Sequence, residues 1–307
     1  MRLITFDHNG KPQLAIERHG RVASLPGVTD VAAFFTLEED ARAQAVRAAE
    51  AALVAEAALA GHETLATDDV RTLLPVLDPR KVICVGLNYR DHAAEVGMEI
   101  PKAPALFPKY ASTLIPHGAP IELPRESVKV DYEAELVLVI GRHASHVPVE
   151  RGWSVVGGLT IGNDVSVRDF QGVSGQWMAG KIFDRTTPVG PVVVTPDDLA
   201  NPGDLEIWLE IGGDLLQRSR TSQFIFDVGQ MIEYITRITT LEPGDLIFTG
   251  TTAGVGFARK PPRYLKDGET VRVYVEGIGT LENPVVAPRG GAQPDLLPKA
   301  RAATMPV

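Results

Sequence analysis

The 307-residue chain is 44% hydrophobic and 22% charged, an ordinary composition for a globular protein with a sizeable core. Its net charge of −9 argues against a surface for nucleic acid or anionic membranes, and its single cysteine excludes an internal disulfide. Charge begins at Arg2, which argues against a signal peptide, and no apolar stretch approaches the roughly 20 residues that span a bilayer. We therefore expect a cytoplasmic protein.

The pattern along the chain predicts two domains and a tail. Residues 1–75 are expected to form a small N-terminal domain, with a hairpin around Asn9-Gly10 and an alanine- and glutamate-rich helix over 38–60. Residues 76–288 are expected to form a β-rich main domain, and 289–307 a loose tail. The helical spacing of apolar residues predicts one helix in the main domain, at 227–235, and the many short strands with this apolar helix lead us to expect a homodimer through the main domain. The clearest predicted strands are 81–86, 130–141, 154–162, 205–212, 245–249 and 270–276.

Two glutamates lie one residue apart in the predicted strand 130–141. Side chains alternate along a strand, so Glu133 and Glu135 point the same way, roughly 6–7 Å apart, while apolar residues fill both faces. Asp164 ends the next apolar run. Three carboxylates without histidine or cysteine are the ligand set of a hard divalent ion such as Mg²⁺, Mn²⁺ or Ca²⁺ rather than Zn²⁺. The alternative is that the glutamates pair with lysine or arginine at a sheet edge.

A short segment after the first main-domain strand carries a histidine and a glutamate. Asn88 or Asp91 can cap a short helix there, on which His92 and Glu95 stand three residues apart on one face. Such a pair fixes the imidazole tautomer and suits a general base that activates water. The alternative is a solvated histidine with a helix-stabilising glutamate, and the segment taken alone favours that alternative.

Two glycine-containing segments and the cysteine complete the motifs. Residues 175–181 have the spacing of a phosphate-binding loop, but Ile182 stands where a hydroxyl residue should bind magnesium, so we reject a nucleotide site. Lys181 can still act as an anion clamp. In residues 244–256 the backbone N–H groups either hold a carboxylate or belong to a tight turn, and both interpretations stay open. Cys84 lies in an apolar strand, which favours a buried structural cysteine over a nucleophile.

Together these segments resemble the fumarylacetoacetate hydrolase family over residues 75–288. The matching stretches are Val85-Gly86-Leu87-Asn88-Tyr89 with His92 and Glu95, Asp131-Tyr132-Glu133-Ala134-Glu135-Leu136, Gly162-Asn163-Asp164-Val165-Ser166-Val167-Arg168-Asp169, Gly180-Lys181-Ile182-Phe183-Asp184, Thr249 to Gly256 and Glu276 to Val285. The resemblance implies an α+β, mainly β fold, namely a mixed β-roll with a small N-terminal domain, and usually a homodimer. It makes Glu133, Glu135 and Asp164 ligands of Mg²⁺ or Mn²⁺, with Ca²⁺ a substitute in crystals.

The resemblance also implies the remaining site residues. His92 and Glu95 would form an acid–base dyad on a lid, Lys181 and Gln171 would contact substrate oxygens, Thr251 would contact a carboxylate, and Arg168 would be a further substrate contact. We predict metal-dependent hydrolysis of a C–C bond in a 2,4-dioxo acid of the acylpyruvate or fumarylpyruvate type, giving a 2-oxo acid and a carboxylic acid. Alternatives on the same metal–enolate site are oxaloacetate-type decarboxylation and hydroxymuconate-type isomerisation, or hydrolysis of a sugar acid. A non-catalytic binder of metal and carboxylate is the alternative of another class.

Overall fold

The computed structural model describes residues 1–58, 65–288 and 290. Its first strands pair antiparallel across the predicted turn, where Asn9 and Gly10 take φ values of 54° and 80°, the left-handed conformation of a tight hairpin. The predicted helix over 38–60 is confirmed up to residue 58, and its last two residues lie outside the described part. The elements of this region are β1 (Arg2–His8), β2 (Lys11–Arg18), β3 (Arg21–Ser24), α1 (Val31–Thr36), α2 (Glu39–Ala58), β4 (Leu65–Ala66) and β5 (Arg71–Thr72).

The strands that surround the candidate site come from residue 82 onward. The first half of this region contains β6 (Val82–Gly86), α3 (Arg90–Val96), β7 (Ala105–Lys109), β8 (Leu114–Ile115), β9 (Ile121–Glu122), β10 (Val130–Asp131), β11 (Ala134–Ile140), β12 (Val156–Asn163), β13 (Ser166–Val167), α4 (Arg168–Gln171) and β14 (Thr187–Val194). The second half contains β15 (Glu206–Ile211), β16 (Asp214–Arg220), α5 (Val228–Ile238), β17 (Leu246–Thr251), β18 (Thr270–Val275) and β19 (Gly279–Val286).

Most strands belong to one large sheet with the order β4-β3-β2-β1-β14-β12-β11-β17-β6-β7. The N-terminal hairpin extends this sheet, because β1 pairs with β14. The division near residue 75 therefore stays a prediction. A second sheet has the order β16-β15-β18-β19-β9, and β10 pairs with β13 alone. The described residues form a mixed fold of strands and helices, which confirms the predicted α+β class.

Strand β11 is buried on both faces in the middle of the large sheet, between β12 and β17. Leu136 and Leu138 pack into one apolar cluster, and Val137 and Val139 pack into the other. This confirms the alternation predicted from the sequence. A strand covered on both sides has no water to solvate a carboxylate, so any acid on it must find its partners inside the protein.

Each predicted strand has a counterpart, but several strands were not predicted. The stretch 130–141 is broken between β10 and β11. The first two residues of the predicted strand 154–162 belong instead to a 3₁₀ helix over Val149–Val155. Strand β7 contains Pro108 and β14 contains Pro188 and Pro191, and proline hides a strand because it lacks the ladder N–H. The other unpredicted strands of four residues or more in the main domain are β16 and β19.

Helix α5 begins at a capping box formed by Asp227 and Gln230 and extends three residues beyond the prediction. Its apolar side chains Val228, Met231, Ile232 and Ile235 are buried within the chain, so they do not offer a surface for dimerisation. Within the described residues, no helix combines the length and the apolar character that crossing a membrane requires.

Candidate active site

The three predicted metal ligands converge. Glu135 lies on β11, Asp164 follows β12, and Glu133 lies in the break before β11 rather than within a continuous strand. Antiparallel pairing places Glu135 opposite Gly162, and the Asp164 amide donates to the Glu133 carbonyl at 2.9 Å. One carboxylate oxygen from each acid lies within 4.8 Å of the others, and all three residues are buried. Oxygens that surround a hard cation at about 2.1–2.5 Å have separations in this range, so the donor set fits Mg²⁺, Mn²⁺ or Ca²⁺.

Two buried lysines bind the same carboxylates. Lys181 Nζ donates to Glu133 Oε2 and to Asp164 Oδ2, both at 2.7 Å. Lys109 Nζ donates to Asp164 Oδ1 at 2.6 Å. The acids therefore do pair with cations, as the alternative interpretation expected, but in the interior of the sheet and not at its edge. Lys109 was missed by sequence reasoning because β7 itself was not predicted. The available signal was a lone lysine that ends an apolar run.

The protonation of the acids follows from these partners. Burial raises the pKa of Glu133, but Lys181 and Arg168 outweigh this effect and lower it to about 2. Burial, together with the charges of Asp164 and Glu133, raises the pKa of Glu135 well above its usual range. The Gly250 amide donates to Glu135 Oε2 at 2.8 Å. Glu135 is thus the acid whose negative charge is least compensated, which a divalent cation would correct.

A count of charged groups supports a cation site. Four buried carboxylates face three buried cationic side chains, namely Asp131, Glu133, Glu135 and Asp164 against Lys109, Arg168 and Lys181. The raised pKa of Glu135 lets that acid balance the count by holding a proton, and a divalent ion that replaces this proton leaves an excess of one positive charge. The loaded site would therefore attract an anionic substrate.

Helix α3 brings the predicted dyad together beside these acids. The His92 Nδ1 atom is 3.1 Å from Glu95 Oε2, and the Gly254 amide donates to Glu95 Oε1 at 2.8 Å. His92 is buried, and it is among the groups that lower the pKa of Glu133, so the imidazole lies near that acid. The solvated-histidine alternative is wrong.

The predicted caps of α3 are also wrong, because Tyr89 occupies the N-cap position and no side chain caps the helix. Asn88 instead accepts from the Phe226 amide at 2.8 Å and donates to the Thr249 carbonyl at 2.8 Å. The Asp91 carboxylate accepts from the His92 amide at 2.7 Å and from the Ser219 hydroxyl. Both residues therefore anchor the helix to distant parts of the chain.

The structure also places the three expected substrate contacts. Arg168 Nη2 lies 2.7 Å from both Asp131 and Glu133, and Arg168 Nη1 donates to Gln171 Oε1 at 2.8 Å. The Thr251 hydroxyl donates to the Ala134 carbonyl at 3.0 Å and accepts from Gln217 at 2.9 Å. Arg168 thus contacts two of the acids, Gln171 contacts Arg168, and Thr251 lies opposite Glu135 in the pairing of β11 with β17. Their contact with substrate stays a prediction.

The glycine-rich loop at 244–256 resolves one question that the sequence left open. The amides of Gly250, Gly254 and Gly256 donate to Glu135, Glu95 and Asp131, respectively. The N–H groups of this loop thus do hold carboxylates, but carboxylates of the protein itself. The turn interpretation is also confirmed, because Gly244, Gly250 and Gly254 have φ values of 88°, 95° and 104°. Cys84 is fully buried, and burial is the main reason that its pKa is raised well above its usual value. The expectation of a structural cysteine is confirmed.

Comparison with known proteins places this geometry in a family. The family model described as fumarylacetoacetate (FAA) hydrolase C-terminal matches residues 81–286, which is more than half of the chain. The chain belongs to the fumarylacetoacetate hydrolase family. This confirms the resemblance seen in the sequence motifs.

Three similar proteins illustrate the range of this enzyme family. The mitochondrial oxaloacetate tautomerase FAHD2B of Bos taurus is 40% identical over 292 residues, which cover 93% of this chain and 92% of the relative. The solved structure of fumarylacetoacetate hydrolase (EaFAH) from the psychrophile Exiguobacterium antarcticum has a TM-score of 0.79 and 34% identity, and covers 94% and 99% of the two chains. The solved structure of 5-carboxymethyl-2-hydroxymuconate delta-isomerase from Mycobacterium smegmatis has a TM-score of 0.74 and 36% identity, and the match covers 94% of this chain and 100% of the isomerase chain.

Proposed function

We propose that this protein is a divalent-metal-dependent enzyme that interconverts the keto and enol forms of a short 2-oxo diacid, represented by oxaloacetate. The observation that carries the proposal is the His92–Glu95 pair beside three buried carboxylates. A base next to a hard-cation site suits removal of a proton from the carbon beside a ketone. The 40% identity to an oxaloacetate tautomerase over 93% of this chain supports the same reaction.

The proposed mechanism uses the dyad for proton transfer. Glu133, Glu135 and Asp164 would hold Mg²⁺ or Mn²⁺, which would polarise the substrate carbonyl and stabilise negative charge on its oxygen. Glu95 accepts a hydrogen bond from His92 Nδ1 and keeps the proton on that nitrogen, which leaves Nε2 to act as the base. His92 takes the proton from the substrate carbon, and the resulting imidazolium gives that proton to the substrate oxygen, which restores the neutral imidazole. Only C–H and O–H bonds change, so keto and enol forms exchange.

We propose that the cationic side chains of the site orient the substrate carboxylates. Lys181 and Arg168 neutralise Glu133 in this structure, and a divalent ion would share that carboxylate. Their charge is then available to an anion, and Gln171 and Thr251 border the same space. This arrangement favours a diacid over a neutral ketone.

A second candidate is the hydrolysis of a 2,4-dioxo acid. The same dyad favours it, because His92 supported by Glu95 can take a proton from water, which then attacks the distal carbonyl. The C–C bond beside that carbonyl then breaks, its electron pair leaves with the 2-oxo acid fragment, and His92 gives its proton to the carbon of that fragment. The products are a 2-oxo acid and a carboxylic acid. The similarity to a solved fumarylacetoacetate hydrolase supports this candidate.

One set of assays separates these reactions. With Mg²⁺ or Mn²⁺ present, the loss of enol absorbance from oxaloacetate measures tautomerisation, release of CO₂ measures decarboxylation, and loss of acetylpyruvate measures hydrolysis. We expect tautomerisation to be the fastest. Faster cleavage of acetylpyruvate would replace our first candidate with the second, and CO₂ release as the main reaction would indicate a decarboxylase.

A matched pair of variants tests the role of the dyad. His92→Ala should abolish the preferred reaction. His143→Ala should not, although His143 lies at the same 3.1 Å from its own carboxylate, that of Glu242, on an exposed part of the chain. Absence of every reaction with either metal would leave the non-catalytic binder as the better interpretation.

A further inference from the structure

We propose that Asp131 is a positioning residue that couples the metal-binding carboxylates to the acid–base dyad. This inference rests on the proposed roles of Glu133 and of the His92–Glu95 pair. Asp131 is fully buried at the end of β10, outside both groups. Its two oxygens accept four hydrogen bonds, and the donors lie on two different sides of the site. The coupling segment between them is the loop of residues 254–257.

The first side reaches the metal ligands through Arg168. Arg168 Nε donates to Asp131 Oδ2 at 2.7 Å, and Nη2 lies 2.7 Å from both Asp131 and Glu133 Oε1. The guanidinium also lies over the ring of Phe257, 4.4 Å from its centroid. The planar guanidinium is held by the Asp131 carboxylate and by the ring of Phe257, which fixes its orientation. A shift of Asp131 would therefore move Arg168 and change its contact with Glu133.

The second side reaches the dyad through the loop. Asp131 Oδ1 accepts from the amides of Gly256 at 2.7 Å and Tyr132 at 2.8 Å, and Oδ2 accepts from the Phe257 amide at 3.0 Å. A Cβ atom at position 256 would lie 1.8 Å from the Arg263 carbonyl oxygen and 2.5 Å from Asp131 Oδ1. A residue with a Cβ atom would therefore not fit at position 256, and glycine lets the backbone approach the Asp131 carboxylate.

The loop then presents one amide to Glu95. Gly254 has φ +104°, and a Cβ atom there would lie 2.1 Å from the Leu216 carbonyl oxygen. Its own carbonyl accepts from the Tyr132 hydroxyl at 3.3 Å and from Arg259 at 3.2 Å, while its amide donates to Glu95 at 2.8 Å. Glu95 is thus oriented by a loop whose other end is held by Asp131.

Asp131→Asn tests the coupling without changing the size of the side chain. The asparagine amide group replaces one accepting oxygen and meets hydrogen-bond donors there, so either the loop or Arg168 must move. Asp245→Asn is the matched control. Asp245 is also buried, and it accepts from the backbone amides of Lys81 and Glu242 and from the Lys81 ammonium. It lies just before the first residue of β17, whereas the site lies at the last residue of that strand.

The first measurement is amide hydrogen exchange in metal-free protein. Asp131→Asn should accelerate exchange both in residues 254–257 and across α3, whereas Asp245→Asn should accelerate neither. Exchange across α3 that stays at the wild-type rate in Asp131→Asn would overturn the coupling. This measurement does not depend on which reaction the enzyme catalyses.

The second measurement is a double-mutant cycle with Glu95→Ala, in the oxaloacetate assay with Mg²⁺. Asp131→Asn should lower kcat about 10–100-fold in the wild-type background, as loss of an outer-shell partner does, but less than about 3-fold when Glu95 is absent. Losses that simply multiply would show that Asp131 does not act through Glu95. If Glu95→Ala alone kept full activity, the proposed function would fail instead, and hydrogen exchange would still decide the coupling. Asp131→Glu, which keeps the negative charge but changes the reach of the side chain, replaces Asp131→Asn in both measurements if that variant does not fold.

Discussion

Lys109 donates a hydrogen bond to Asp164 Oδ1 at 2.6 Å, and both side chains are completely excluded from solvent. Removing Lys109 leaves Asp164 with Lys181, which it shares with Glu133, so a buried negative charge is then only partly compensated. We expect Lys109→Met to lower the free energy of unfolding in EDTA by about 3–5 kcal/mol. Mg²⁺ should recover more stability in this variant than in wild type, because the ion neutralises Asp164. Denaturant unfolding with EDTA and with Mg²⁺ measures both effects.

Lys81→Met provides the comparison for this variant. Lys81 Nζ lies 2.9 Å from Oδ2 of the buried Asp245. Asp245 directly precedes Leu246, the first residue of β17, whereas the acids lie near Thr251 at the last residue of that strand. Its loss should cost the same stability with EDTA as with Mg²⁺. If Mg²⁺ stabilises Lys109→Met no more than it stabilises wild type, Lys109 does not compensate a metal ligand.

Two of the proposed ligands should respond oppositely in metal-free protein. Glu135→Gln removes a carboxyl group whose pKa burial has raised and which accepts from the Gly250 amide, so unfolding in EDTA should need at least as much free energy as in wild type. Asp164→Asn removes the shared partner of Lys109 and Lys181 and should destabilise the protein. Both variants should weaken Mg²⁺ binding by at least about tenfold, because ligand charge sets cation affinity. Equal losses of stability in EDTA would contradict the charge distribution described above.

Glu95→Gln should slow the preferred reaction by about 10²–10⁴-fold, the usual contribution of a general base, because the neutral amide no longer supports His92. Mg²⁺ affinity should stay nearly unchanged, since Glu95 is not a proposed ligand. Steady-state kinetics measure the rate of the reaction, and calorimetric titration measures the affinity for Mg²⁺. Glu242→Gln, at the exposed pair with His143, should change neither. Unchanged turnover in Glu95→Gln would remove the dyad from the mechanism.

The thiol of Cys84 should be inert in the folded protein. Burial raises its pKa, so the thiolate fraction is small even in mildly alkaline buffer, and no reagent can reach the sulfur. We expect a thiol reagent to label no cysteine under native conditions and one per chain in denaturant, since the sequence has one cysteine. Rapid native labelling that abolishes activity would instead support a nucleophile.

The family resemblance predicts a homodimer, and the cytoplasmic location also stays a prediction. The dimer now rests on the resemblance alone, because the apolar residues Val228, Met231, Ile232 and Ile235 of the predicted helix pack inside the chain. Light scattering at micromolar concentration should give twice the 33.0 kDa mass of the chain. A mass equal to that of one chain would contradict the expectation.

The sequence by itself identified the parts of the site that depend on local geometry. Alternation along a strand put Glu133 and Glu135 on one side, and helical spacing put His92 next to Glu95. Both relationships span three residues or fewer. The first also depended on the tertiary structure, because Glu133 lies in the break before β11 and still converges with Glu135 and Asp164. Family motifs then identified Asp164 and Lys181 as members of the same site.

Only the tertiary structure revealed how these groups are held. Lys109 meets Asp164 across 55 residues of sequence, Asp131 meets the Gly256 amide across 125, and Glu95 meets the Gly254 amide across 159. None of these contacts leaves a periodic signal, because each depends on the pairing order of strands and on the path of one loop. Proline also concealed two of the strands, since the hydrogen bonds that keep β7 and β14 in the sheet come from their partners as well as from their own residues.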